Sequence, residues 1–221
     1  MMNNCLLVLL MLVPFSAHSG SETDLAYGRE AGQSLDIYHP DRCLAARCPV
    51  VMWVHGGGWR TGDKGNNGAK DLAATWENAG AVVVTLNYRL TPDVVHPAHV
   101  QDVAAGIAWT RANIGRYGGD PQRLFLLGHS AGAHLVALVG TDPQYLAAHG
   151  LGLRESVSGV MPIDTASYDL VANNGTAVGR MIEDAFGTDP AVLRAHAAIA
   201  RDLSDADSHL ARQLMRFAGL Q

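Results

Sequence analysis

The feature that most constrains this chain is a series of short apolar runs set between segments with helical spacing. Residues 49–54 and 81–86 are continuous apolar stretches rich in β-branched side chains, and residues 124–127 read Leu-Phe-Leu-Leu. A strand without a polar face has to be covered on both sides, which is the position of a central strand in a parallel sheet. Residues 158–163 read as a fourth such strand, and helices are expected over 69–78, 100–114 and 130–139. Strands alternating with helices predict an α/β protein with a mostly parallel central sheet flanked by helices. Residues 33–39 alternate apolar and polar side chains, as a half-buried strand does, with residues 23–27 as its expected hairpin partner.

With 221 residues, 48% of them hydrophobic, the chain can bury one sizeable core, and a single domain over residues 20–221 is expected. The net charge of −5 supplies no basic excess to neutralise phosphates, so nucleic acid is not an expected partner. The apolar run from Cys5 to Phe15, followed by Ser16-Ala17-His18-Ser19-Gly20, reads as a secretory signal over residues 1–19 with cleavage after Ser19. No Lys or Arg precedes the run, so the free amino terminus carries the only positive charge of that segment. The run is shorter than the roughly 20 residues a membrane span needs. A secreted or periplasmic protein follows from this reading. Cys43 and Cys48 would then meet an oxidising compartment, either paired across the short loop between them or as two free thiols.

The chemistry concentrates in two glycine-rich segments. Gly128-His129-Ser130-Ala131-Gly132 follows the strand expected at 124–127 and precedes a helix. That is the strand-to-helix turn that presents a serine as an exposed nucleophile, with the amide of Ala131 free to hold an oxyanion. Side chains at Gly128 and Gly132 would clash in so tight a turn. His55-Gly56-Gly57-Gly58 lies at the carboxyl end of the run 49–54, the edge on which open α/β sheets carry their ligands. Backbone amides of this glycine run are the expected partners of Ala131 in an oxyanion hole. No Gly-Lys-Ser/Thr follows at the spacing of a phosphate-binding loop. The ten histidines show no metal-ligand spacing, so neither a metal nor another cofactor is implied.

Together with Trp59, Gly62-Asp63-Lys64, Asn87-Tyr88-Arg89-Leu90 and Gly119-Asp120-Pro121, these segments run in the order found in a known family. Over residues 33–170 the chain resembles the hormone-sensitive-lipase-like and feruloyl-esterase- or arylformamidase-like carboxylesterases of the α/β-hydrolase superfamily. The resemblance implies the α/β-hydrolase fold, Ser130 as catalytic nucleophile, and Gly57, Gly58 and Ala131 as the oxyanion hole. It implies that His55 shapes the loop rather than acting as base, and that Tyr88, Arg89 and Asp102 are architectural.

A serine hydroxyl needs a histidine to take its proton and a carboxylate to orient that histidine. The resemblance places both after further strands, yet beyond residue 163 no apolar β-rich run occurs; residues 176–186, 190–201 and 205–217 read as helical. The last strands of the fold are therefore expected to be missing, with the chain divergent after about residue 170. Asp164 is the acid candidate, and His196 or His209 the base candidate. The expected function is an exported serine carboxylesterase acting on short-chain acyl or aryl esters of small molecules. The alternatives are a truncated, catalytically impaired hydrolase fold, a pseudoenzyme or binding module, and an arylformamidase-like amide hydrolase.

Overall fold

The structure, a computed structural model, describes residues 20–43, 45–164, 170, 171, 173 and 175–196. Its elements run β1 (Gly20–Ala26), β2 (Ser34–His39), β3 (Cys48–Val54), α1 (Asn67–Asn78), β4 (Val82–Leu86) and α2 (Ala98–Asn113). They continue with β5 (Gly119–His129), α3 (Ala131–Thr141), the short α4 (Gln144–Ala147) and α5 (Leu153–Ser156), β6 (Gly159–Ile163), α6 (Ala177–Phe186) and α7 (Pro190–His196). The expected signal segment, residues 1–19, and the helix expected over 205–217 lie outside the described residues.

The six strands form one sheet in the order β1-β2-β4-β3-β5-β6. β4, β3, β5 and β6 are mutually parallel, whereas β1 and β2 join as an antiparallel pair on the β4 side. The alternation of residues 33–39 and the apolar runs thus define the sheet as expected. β5 is longer than its apolar run suggests. It begins at Gly119, inside the Gly118-Gly119-Asp120-Pro121 segment that the sequence presents as a turn. Cys48 pairs with Gly119 and Val50 with Leu124, so the extra residues of β5 are taken up as a bulge at the start of the ladder.

Side-chain alternation along β3 divides the core between the two faces of the sheet. Val50, Met52 and Val54 join Val82, Val84, Leu86, Leu124 and Leu126 beneath Val103 and Ile107 of α2 and Leu135 and Val139 of α3. Val51 and Leu127 form a smaller cluster on the other face, with Trp53 and Met161 and with Leu72 and Trp76 of α1. α1 starts where the side chain of Asn66 accepts the Ala69 N–H at 2.8 Å. α6 starts the same way, Thr176 accepting the Gly179 N–H at 2.9 Å, and it buries Ile182, Ala185 and Phe186, one helical stripe. Of the two states open for Cys43 and Cys48, the structure has the disulfide, which clips the β2–β3 connection.

Candidate active site

β5 delivers Ser130 to the carboxyl edge of the sheet and α3 begins at the next residue. Ser130 itself has φ +52° and ψ −119°, a conformation that costs a non-glycine residue free energy and persists only where its surroundings impose it. They do so here from both sides. The Ser130 N–H donates to the carbonyl of Ile163 at the end of β6 (3.0 Å), and its own carbonyl accepts the His134 N–H (3.1 Å). A side-chain carbon at Gly132 would fall 2.1 Å from the Val54 carbonyl oxygen, and one at Gly128 would fall 2.3 Å from the Gly132 carbonyl oxygen. The elbow is therefore pressed onto the end of β3, the strand that feeds the glycine loop.

That loop is folded around the carbonyl of Gly57, which accepts the amides of Arg60 and Thr61, each at 3.1 Å, and the Thr61 hydroxyl at 3.2 Å. Gly57 has φ +113°, and a side-chain carbon there would lie 2.1 Å from the Thr61 carbonyl oxygen, so only glycine fits. Among the described residues, the amides of Gly57, Gly58 and Ala131 donate to no protein acceptor. Ala131 opens an eleven-residue helix whose first N–H groups have no intrahelical partner and whose dipole favours negative charge at that end.

The remaining motif residues brace this arrangement. His55 is buried, its Nδ1–H donates to the Gly56 carbonyl at 2.7 Å, and burial lowers its pKa, so the ring is neutral. Tyr88 stacks on that ring at 4.6 Å and donates its hydroxyl to the His55 carbonyl at 3.0 Å. Asp102 lies in the second turn of α2 and is buried. It accepts the Arg89 amide (2.9 Å), Nε (2.8 Å) and guanidinium nitrogen (2.8 Å), together with the Gln33 side-chain amide (2.7 Å). Asn87 bonds Asp63 and the Lys64 amide, and the Lys64 ammonium pairs with Asp24 and Asp36, both at 2.7 Å. A carboxylate or ammonium left alone at such depth is costly, which is why each is multiply paired.

No described residue makes a hydrogen bond to the Ser130 hydroxyl. Asp164, with φ +48° and its side chain 89% exposed, lies 3.9 Å from Nε2 of His129, the residue before Ser130. His196 is packed on His96, with ring centroids 3.9 Å apart, and lies 6.0 Å from the Phe186 ring. His209 lies outside the described residues. The structure thus brings the elbow and the glycine loop together, and it seats His196 in an aromatic cluster instead.

That cluster escaped sequence reasoning. Phe186 of α6 inserts among Trp59, His96 and His134 at centroid distances of 5.0, 4.6 and 5.3 Å, and Trp59 meets His134 edge-on at 5.4 Å. Burial and the neighbouring imidazoles push His96 and His134 down to about 3. No spacing signal links residues 59, 96, 134, 186 and 196, because their proximity is made by five separate segments, two loops and three helices. Among the described residues, no group of three or more His, Cys, Asp or Glu is arranged to hold a metal ion, and no helix is long and apolar enough to cross a membrane.

A mostly parallel, mixed sheet in which one parallel strand ends in a strained serine elbow, set against a glycine loop from the neighbouring strand, is a partial α/β-hydrolase fold. The chain belongs to the BD-FAE family, whose profile matches residues 35–158. It is 39% identical over 135 residues to the probable carboxylic ester hydrolase LipM of Mycobacterium tuberculosis, an alignment covering 58% of this chain and 30% of that protein. It is also 39% identical over 127 residues to esterase LipQ of the same organism, covering 57% of this chain and 30% of that one. The chain therefore matches less than a third of the length of these relatives. Among solved structures, an inhibited esterase B of Lactobacillus rhamnosis superposes with a TM-score of 0.68 at 25% identity, covering 83% of this chain and 62% of that one.

Proposed function

We propose that this chain is a serine carboxylesterase that hydrolyses short-chain acyl or aryl esters of small molecules through an acyl-enzyme on Ser130. The observation that carries the reading is the strained elbow set against three unengaged amides. In this mechanism the Ser130 oxygen attacks the ester carbonyl, and the amides of Gly57, Gly58 and Ala131 receive the oxyanion of the tetrahedral intermediate. The alcohol departs, and water releases the acid. Each such donor is worth roughly 10²–10³ in rate. The names of LipM, LipQ and esterase B support ester hydrolysis as the activity.

Export to the periplasm or beyond is part of the same reading, through residues 1–19 as a cleaved signal. The Cys43–Cys48 disulfide supports it, since such bonds persist in oxidising compartments.

One observation favours a second reading, a hydrolase fold that binds esters with little turnover: among the described residues no imidazole is hydrogen-bonded to Ser130. Without a base, the oxyanion donors and substrate binding leave a residual acceleration of about 10³–10⁴ over water. The two readings separate in one experiment. The chain and its Ser130→Ala variant are assayed with p-nitrophenyl acetate and butyrate and treated with a fluorophosphonate. Steady turnover and labelling by the parent chain, both lost in the variant, are the expected result. Absence of turnover and of labelling in the parent overturns the esterase reading.

A further inference from the structure

Beside Ser130 the molecule exposes hydrocarbon that its own core leaves uncovered. Among the described residues the large exposed hydrophobic side chains are Val95, Ile163, Val171 and Met181. One of them borders the elbow and one borders the glycine loop. Ile163 is 37% exposed, and its carbonyl holds the Ser130 amide. Met181 is 41% exposed, and its sulfur would lie 2.6 Å from a side-chain carbon placed on Gly58, with its Cγ at 3.3 Å from the same point. The methionine thus occupies the space directly over Gly58.

Its place there is enforced by α6. The helix turns Ile182, Ala185 and Phe186 inward, which leaves Met181 off the buried stripe. Three contacts hold the helix against the loops at the sheet edge. Asp184 pairs with Arg60, the Ala185 carbonyl accepts the His96 N–H at 2.7 Å, and Phe186 packs on Trp59. A flexible thioether on a fixed helix makes an adaptable apolar surface at a fixed distance from the loop.

We propose that Met181, seated over Gly58, is the wall against which the non-reacting hydrocarbon of an ester lies, and that it sets which chain length reacts best at Ser130. The proposal rests on the esterase reading above and names the group that selects the substrate. Apolar surface left in water beside a nucleophile is covered when such a chain binds, and the gain grows with each methylene until the chain meets the wall. Shortening residue 181 moves the wall back, and enlarging it moves the wall forward.

The test compares kcat/KM for p-nitrophenyl acetate, butyrate, hexanoate and octanoate in the parent chain and in Met181→Ala, Met181→Phe and Met181→Leu. Thermal unfolding checks each variant's fold. One methylene in an apolar pocket changes discrimination by roughly 10-fold or more. Met181→Ala is therefore expected to raise the octanoate-to-acetate ratio about tenfold, Met181→Phe to lower it by a similar factor, and Met181→Leu to keep the parent profile. Ratios that stay put in a parent chain that turns over, or that fall equally for all four esters, overturn the role of Met181 and leave the esterase reading standing. A parent chain without turnover or fluorophosphonate labelling overturns the esterase reading, and this proposal with it.

Discussion

Two residues, Gly132 and Asp102, show different kinds of constraint. At Gly132 the constraint is the Val54 carbonyl oxygen, 2.1 Å from where a side-chain carbon would sit. Relief requires β3 and α3 to part, which breaks the packing that imposes φ +52° on Ser130. Gly132→Ala is expected to cost about 3 kcal/mol, the upper range of overpacking penalties, measured as a fall in urea midpoint with an unchanged slope. It should also abolish fluorophosphonate labelling in whatever fraction stays folded. Asp102 illustrates a second kind of constraint. Its charge is balanced by the Arg89 guanidinium and it also accepts the Gln33 amide, so it braces the segment after β4.

At the scale of elements, the seating of α6 and α7 depends on protonation. His96 precedes α2, His134 belongs to α3 and His196 ends α7, and Phe186 sits among them. The charged groups that act on the cluster are few. Asp142 acts on His196, and Asp102 and Arg89 act on His99, which burial lowers to about 4. His96 and His134 titrate near 3 with the helices in place and near 6.5 once they are exposed to water. Their lowered values mean that the docked arrangement holds its full stability above pH 6.5 and loses it as the pH falls towards 3. Amide hydrogen exchange over residues 177–196, corrected for the intrinsic rate, is therefore expected to accelerate from pH 8 to pH 5, while β3 and β4 keep their protection. Equal protection of α6 at the two pH values would contradict this account. The Arg60–Asp184 pair, half-exposed on both sides, contributes less than about 1 kcal/mol to the same docking.

For the whole molecule, the disulfide is a local clip rather than a global staple. Cys43 and Cys48 are separated by five positions, and closing so short a loop removes little entropy from the unfolded chain. The chain-entropy relation gives about 2 kcal/mol, so the double variant Cys43→Ser/Cys48→Ser should lower the thermal midpoint by roughly 4–8 °C and remain folded. A loss of folding would place the clip at the centre of the fold instead. What was legible in the sequence was what neighbours along the chain encode. The apolar runs over 49–54, 81–86 and 124–127 marked β3, β4 and β5, and the helical patterns over 69–78 and 176–186 marked α1 and α6. The glycines at 57, 128 and 132 marked backbone that a side chain would obstruct. Strand character, helical periodicity and tight turns each follow from a few consecutive residues, so sequence alone determined the α/β architecture and the positions of the elbow and the glycine loop. Only the tertiary structure decided that β5 starts at Gly119 through a bulge and that the two cysteines pair. It alone decided that His196 turns to His96 and that Met181 lies over Gly58. Those outcomes depend on how separately formed elements dock, where the net burial of many side chains outweighs any local preference, and no spacing within one segment records that sum.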